Sequence, residues 1–147
     1  MLPRKYRVHI FLTVIALVII FYPLISRQPD QQRVDDSGVA ATRFFELVDA
    51  GQYAQSWEVC AAYLKKEVPR EEWIKNLSAV RSVAGKLLDR KQRDYIYTKN
   101  INEGIPDGEY MVYKFDSTFQ NKEDLTETVT VMLETDSVWR VAGYFIE

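Results

Sequence analysis

Two alternating apolar runs flank a polar turn between residues 125 and 146, and this pattern constrains the fold more than any other. The runs read LTETVTVML and VWRVAGYFI, and the turn between them reads ETDS. Alternation with a period of two is typical of strands that bury one face, so the stretch predicts a β-hairpin. A hairpin of this kind needs a second layer of structure against its apolar face.

Helical periodicity replaces alternation in the half of the chain before this hairpin. From Val39, apolar residues recur at three- and four-residue steps, which predicts an amphipathic helix ending at Gly51. A second helix is predicted from about residue 52 to residue 66. A third is predicted between Pro69, a residue suited to a first helical turn, and Gly85. The expected inner face of this third helix comprises Trp73, Leu77, Val80 and Ala84.

Two further strands are predicted at about 87–97 and 109–119. The middle of the first, DRKQRD at 89–94, is too polar to be buried, so we expect a bulge or a solvated edge there. The expected apolar face of the last strand comprises Trp139, Val141, Gly143 and Phe145. The glycine on that face suggests a bend or a bulge. Helices followed by strands predict an α+β fold, with three helices on one face of a four-stranded antiparallel sheet.

An uncharged apolar run extends from Ile10 to Ile25, directly after a start that carries three basic residues. At about 16 residues, the run is at the short end for a membrane span. A cleaved signal peptide has the same basic start, but around Ser26 the A-x-A-like pattern of a cleavage site needs a small side chain where the chain has Leu24. We therefore favour an uncleaved signal anchor, with the positive charges in the cytoplasm.

This interpretation divides the chain into three parts. Residues 1–25 are a cytoplasmic tail and a transmembrane helix, residues 26–37 are a polar linker, and residues 38–147 are an extracytoplasmic α+β domain. The chain is then a single-pass protein of the inner (cytoplasmic) membrane. Its domain is expected in the periplasm or outside the cell, and the membrane itself is its first partner.

Charge and composition exclude several classes of function. After residue 37 the chain carries 14 Lys/Arg against 18 Asp/Glu, so no nucleic-acid interface is expected. The only histidine, His9, precedes the domain, which excludes a Ser-His-Asp site or a histidine zinc site within it. No catalytic residue, metal site or cofactor is assigned. The lone Cys60 is interpreted as a small buried side chain, with a disulfide-linked dimer or a reactive thiol as alternatives.

Three stretches of the domain resemble a bacterial family known as domain of unknown function four-thousand-nineteen. They read FFELVDAGQYAQSW at 44–57, PDGEYMVYKF at 106–115 and ETVTVMLETDSVWRVAGYFI at 127–146. The resemblance covers the domain from about Val39 and implies a curved sheet around three helices, similar to cystatin-like or NTF2-like rolls. One departure is the turn Asp136-Ser137, where the family often has Asp-Gly. The resemblance implies no activity.

Aromatic and acidic side chains of the predicted helices and strands are candidates for a pocket. Aromatic side chains at helix and strand spacing belong to a hydrophobic core more often than to a ligand site. The two carboxylates lie in strands, where a solvated face explains them more simply than a general base. Arg90, Lys91 and Arg93 are interpreted as a charged edge strand, with anionic headgroups or glycans as alternative partners. The candidate pocket-lining residues are Trp57, Trp73, Tyr113, Asp116, Glu127, Trp139 and Tyr144.

Two functions follow from these observations. The first is a membrane-anchored, non-catalytic binding or scaffolding module of the cell envelope, with an envelope protein or a small apolar ligand as partner. The second is a small NTF2-like enzyme that uses an Asp or Glu base in a conical pocket. A deep pocket with a buried carboxylate of raised pKa favours the enzyme. A filled interior with an exposed apolar groove favours the binding module.

The anchor interpretation predicts that the mature protein keeps its first 25 residues. Mass spectrometry of the protein isolated from membranes should find an N-terminal peptide that includes the basic start and the apolar run. A mature chain that begins near Arg27 would instead show cleavage and contradict the anchor.

Overall fold

Helices come first and strands second in the computed structural model, which describes residues 29–99 and 103–147. The helices are α1 (Gln31–Asp49), α2 (Tyr53–Glu58), α3 (Ala62–Glu67) and α4 (Arg70–Ala84). The strands are β1 (Leu87–Thr98), β2 (Glu109–Phe119), β3 (Lys122–Leu133) and β4 (Trp139–Ile146). They form one antiparallel sheet in the order β1-β2-β3-β4, so β1 and β4 are its edges. The predicted α+β class is confirmed.

The predicted transmembrane helix at residues 1–25 lies outside the described residues. Within the described residues, no helix is both long and apolar enough to cross a membrane. Residues 31–147 form one compact unit.

The first helix begins at Gln31, so most of the predicted linker at 26–37 is helical rather than extended. Two glutamine-to-aspartate hydrogen bonds, each spanning four residues, support its first turns. Ser37 is fully buried, and its hydroxyl lies 2.7 Å from the Tyr113 hydroxyl on β2. The same tyrosine donates to the Val34 carbonyl at 3.1 Å. These contacts with the sheet order a segment whose sequence is too polar to show apolar periodicity.

The helix predicted at 52–66 is instead two short helices, so the described chain has four helices rather than three. The break falls at Cys60 and Ala61, which pair with the sheet. Cys60 forms a parallel bridge with Val141, and the Ala61 N–H donates to the Val141 carbonyl at 2.8 Å. Backbone pairing with β4 therefore replaces the helical hydrogen bonds at this point. The Cys60 side chain is 1% exposed, which supports its interpretation as a buried apolar residue.

Glycine ends two of the helices as predicted. Gly51 and Gly85 have φ angles of +72° and +81°, which favour glycine because a Cβ atom is strained there. Gly85 also lies against the turn between β2 and β3, since a Cβ atom built on it would come within 2.9 Å of the Asn121 side-chain nitrogen. Pro69 precedes the first residue of α4, as expected from its missing N–H.

The main core lies between the helices and one face of the sheet. Phe44, on α1, is fully buried and contacts Trp73 of α4 and Tyr144 of β4 edge to face, with ring centroids 6.0 and 5.2 Å apart. Apolar residues at helical spacing form one layer of this core, and every second residue of the strands forms the other. The strand residues are Met111, Tyr113, Val129, Val131, Trp139, Val141 and Tyr144.

A bulge in β4 changes which of its residues face this core. Val131 pairs with Val141 but Thr130 pairs with Gly143, so one extra residue lies between them. The predicted bulge is therefore present, and it reverses the alternation beyond it. Tyr144 becomes buried, and Phe145, which was predicted to share the face of Trp139, is 65% exposed.

The polar edge strand β1 also contains irregularities. Its register with β2 shifts between Leu87 and Asp89 and again between Gln92 and Asp94. Both the predicted bulge and the predicted edge position are therefore present. The expectation that the whole of 89–94 is too polar to be buried is wrong for one residue, because the Arg90 side chain is only 12% exposed.

Trp139 provides a test of this core. Its side chain is 7% exposed, so Trp139→Ala should lower the free energy of unfolding by about 3–5 kcal/mol. Phe145→Ala on the same strand is the matched control and should cost less than about 1 kcal/mol, because that ring is mostly in solvent. Chemical denaturation of a chain that begins at residue 29 measures both. A loss under about 1 kcal/mol for Trp139→Ala would contradict its place in the core.

Candidate functional site

Among the residues that the structure describes, Glu127 is the one acidic residue that is buried completely. It lies on β3 two residues before Val129, so the alternation of the strand turns it toward the helices. Its carboxylate accepts hydrogen bonds from three other strands. The Arg90 Nε and Nη2 atoms of β1 donate at 2.6 and 3.0 Å, Ser117 of β2 donates at 2.5 Å, and the Tyr144 hydroxyl of β4 also donates. Each carboxylate oxygen thus accepts two hydrogen bonds.

Asp49, at the end of α1, continues this cluster toward the helices. Its two oxygens accept from Arg90 at 2.7 and 3.0 Å, and one of them also accepts from Arg81 of α4 at 2.7 Å. The Arg81 Nη1 atom is 3.9 Å from Glu127 and has no hydrogen-bond partner within the part of the chain that the structure describes. Two carboxylates and two guanidinium groups therefore neutralise each other between the sheet and two helices. We call Asp49, Arg81, Arg90 and Glu127 the charge cluster.

Aromatic rings hold both arginines of the charge cluster. The guanidinium of Arg90 lies 3.7 Å from the ring centroid of Phe45, and that of Arg81 lies 4.7 Å from the centroid of Phe119. Desolvated contacts of a cation with a ring face are favourable. They help to hold the two guanidinium groups in a largely desolvated place, where the Arg81 and Arg90 side chains are 6% and 12% exposed.

The electrostatics of the charge cluster follow from burial and proximity. Burial alone lowers the pKa of Arg90, but hydrogen bonds and charge from Asp49 and Glu127 outweigh this effect and raise it. Burial raises the pKa of Tyr144, and the negative charge of Glu127 raises it further. The tyrosine therefore stays protonated and remains a donor to the carboxylate.

These contacts limit what Glu127 can do chemically. A general base needs an acceptor oxygen within hydrogen-bond reach of a substrate proton. A carboxylate has about four acceptor directions, and all of those of Glu127 are occupied by protein donors. The carboxylate is thus part of the structural interior rather than of an open pocket.

Surface recesses lie on two sides of the filled interior. The first, which we call the α1 cleft, has a volume of about 980 Å³ between α1 and the β1–β2 part of the sheet. Its apolar side chains include Phe45, Tyr113 and Phe115, and its charged ones are Asp35, Arg43, Glu46, Asp49 and Arg90. The mixture of acidic and basic groups gives this cleft no dominant charge.

The second recess, which we call the β4 groove, is smaller and more apolar. It has a volume of about 380 Å³ between helices α3 and α4 and the bulged half of β4. Its lining is mostly aliphatic and aromatic: Tyr63, Leu64, Val68, Trp73, Leu77, Val80, Ala142, Tyr144, Phe145 and Ile146. A neighbouring recess of about 400 Å³ shares Val80 and Ile146 and adds Val83 and Leu125. The apolar surface therefore continues along α4.

The structure distributes the seven candidate residues over several places rather than one pocket. Tyr113 lines the α1 cleft, and Trp73 and Tyr144 line the β4 groove from the core side. Trp57 and Trp139 pack in or against the main core. The Asp116 side chain is 58% exposed and pairs with Arg93, which agrees with the interpretation that it lies on a solvated face of its strand. The solvated interpretation of Glu127 is wrong, because its side chain is fully buried.

Sequence reasoning did not single out Arg81 or Asp49, and it interpreted Glu127 as solvated, although periodicity contained a signal for the burial of Arg81 and Glu127. Arg81 follows Trp73 and Leu77 at steps of four and is buried, whereas Val80, the predicted inner residue, is 42% exposed. Glu127 lies in step with Val129 and Val131. Asp49 had no comparable signal, since it lies at the end of a helix where an exposed residue is usual.

Other chemistry is limited in the described part of the chain. No group of three His, Cys, Asp or Glu side chains there is arranged to hold a metal ion. Burial raises the pKa of the Cys60 thiol to about 12, against a smaller lowering by Lys65. The thiol is therefore protonated at neutral pH and unreactive.

Fold and site together define an α+β domain with a buried Glu127 at the centre of its charge cluster and with open recesses on the described surface. Residues 40–144 match the family described as a protein of unknown function (DUF4019), and the chain belongs to this family. The resemblance inferred from the three sequence stretches is thereby confirmed. No curated protein and no solved structure matches the chain.

The charge cluster predicts a large effect of one conservative substitution. Glu127→Gln keeps the shape of the side chain but leaves two buried arginines with one carboxylate, so it should destabilise the fold by about 3–5 kcal/mol. Asp116→Asn, which removes an exposed carboxylate from the neighbouring strand, should change stability by less than about 1 kcal/mol. Urea denaturation compares the two variants, and near-equal losses would contradict the central position of Glu127.

Proposed function

We propose that this protein is a non-catalytic binding module of the cell envelope, held at the cytoplasmic membrane by residues 1–25. One observation carries the proposal: Glu127, the buried carboxylate, has its acceptor directions filled by protein donors, while apolar surface remains open in the β4 groove. A filled interior beside an exposed apolar recess is typical of a protein that binds a partner on its surface.

The alternative, a small enzyme with an Asp or Glu base in a conical pocket, has less support. Of its two candidate bases, Glu127 is held by Arg90, Ser117 and Tyr144. The other, Asp116, lies on the solvent side of β2 and forms an exposed ion pair. Neither carboxylate combines burial with access to a ligand, which a general base requires.

The order of elements also supports the finer fold assignment that we propose. Four antiparallel strands follow the helices along the chain, and the helices pack mainly on one face of the sheet. A curved cystatin-like or NTF2-like roll has this arrangement. In such a roll the position of the charge cluster corresponds to the space between helices and sheet, and here protein side chains fill it.

The anchor gives the domain its location in this proposal. The apolar run at 10–25 follows a basic start, which supports a cytoplasmic N-terminus and a domain on the opposite side of the membrane. Partners within reach are then envelope proteins, or small apolar ligands in transit between membranes. The mostly apolar lining of the β4 groove suits either class.

Site-specific photo-cross-linking in intact cells tests the proposal. A photoreactive amino acid at Val80, which lines the β4 groove, should give a reproducible adduct with an envelope protein or an apolar small molecule. The same amino acid at Lys91 of the opposite sheet edge, whose side chain is 79% exposed, is the control and should give none. A third variant at Val39 reports on the α1 cleft. If no position gives a specific adduct, the binding proposal fails.

A further inference from the structure

The outer edge of β4 has unpaired backbone groups beside the apolar β4 groove. Thr126 and Glu147 exchange both of their backbone hydrogen bonds, at 2.7 and 3.0 Å. Because the direction of these groups alternates along an antiparallel strand, the N–H and C=O groups of Tyr144 and Ile146 point away from β3. No backbone group from the described part of the chain pairs with them on that side.

The chain already pairs an extended segment with the first half of this edge. Cys60 bridges Val141 in parallel, and the Ala61 N–H donates to the Val141 carbonyl at 2.8 Å. The backbone of Ala61 is extended, with φ −64° and ψ 150°. Helix α3 then begins at Ala62 and leads the chain away, so this pairing ends before Gly143.

The two edges of the sheet differ in how they are protected against further strands. Edge strands are usually blunted by charged residues, proline or a covering segment. The β1 edge has five charged residues between Asp89 and Asp94. The corresponding stretch of β4, residues 143–146, reads GYFI and has none. Beside it, Phe145 is 65% exposed, and Val83 of α4 is 63% exposed.

From this edge and its groove we propose that an extended, apolar segment of a partner protein adds to β4 as a fifth strand along residues 143–147. The segment continues the edge that Cys60 and Ala61 begin, and it pairs its backbone with Tyr144 and Ile146. Because side chains alternate along a strand, every second one enters the β4 groove against Leu77 and Val80. This inference rests on the proposed binding function and names its partner: a strand-forming peptide segment.

A synthetic peptide tests this mode of recognition on the full chain in lipid nanodiscs. The probe alternates valine and threonine over five residues, has a lysine at each end and carries a fluorophore for anisotropy. Two further peptides are N-methylated on either the valines or the threonines. One of them should bind at least about tenfold more weakly, because it loses its hydrogen bonds to the edge, and the other should stay within about twofold. Equal effects of both methylations would overturn the proposal, as would the absence of saturable binding.

Two protein variants locate the site. Val80→Lys introduces a charge into the β4 groove and should weaken peptide binding about tenfold. Val39→Lys makes the same change on the exposed surface of α1, in the α1 cleft, and should leave binding within about twofold. Both valines are exposed, so both variants should fold, and thermal melting verifies this.

The remaining outcomes separate this inference from the proposed function. Loss of peptide binding only in Val39→Lys would overturn the strand-addition proposal while leaving a binding function at the α1 cleft. A dimer of the full chain that the peptide dissociates would make a second copy the occupant of the edge and would also overturn it. Failure of the proposed function itself is read from the photo-cross-linking experiment, which does not use the peptide.

Discussion

The ion pair between Glu127 and Arg90 is the interaction on which the rest of the domain depends. It joins β3 to β1 across the sheet, and the hydroxyls of Ser117 and Tyr144 add β2 and β4. Through Asp49 the same arginine is linked to α1. Burying a carboxylate and a guanidinium costs several kcal/mol each, and only a complete set of partners offsets this cost. All four strands must therefore take their native positions together before the cluster is stable.

This requirement gives the irregularities of the sheet a role. A shift of one residue would turn every side chain of a strand to the other face. In β4 the extra residue before Gly143 places Tyr144, instead of Phe145, on the face of Glu127. In β1 the shift after Gln92 lets Arg90 and Tyr97 lie on the same face although they are seven residues apart. The bulges and the contacts of Glu127 thus agree on one register of the sheet.

Periodicity and turn chemistry were sufficient to predict most of the fold. The hairpin at 125–146, the glycine ends of two helices and the bulge at Gly143 depend on local residues and are present in the structure. The failures depend on distant contacts. Residues 31–37 are polar in sequence, and their helix is held by Ser37 and Val34 against Tyr113 of β2. The break at Cys60 comes from pairing with Val141, which lies 81 positions further along the chain.

The site was harder to predict than the fold. A charged residue in a strand is expected on the solvent-exposed face unless its partners are known. Glu127 follows the alternation of its strand and Arg81 follows the four-residue steps of its helix, and in both cases this periodicity signalled burial where the residue type did not. This periodicity predicts that Glu127 and Arg81 are both buried, and two buried residues of opposite charge are expected to pair.

The charge cluster uses the polar groups of the interior for the fold. The groups able to do acid–base chemistry at the centre, Glu127, Asp49 and Tyr144, already bond to one another or to arginine. The two edges of the sheet are unequal: β1 is charged, and the second half of β4 is apolar. Substitutions in the charge cluster should therefore act on folding, whereas under the proposed function substitutions around the β4 groove should act on binding with the fold intact.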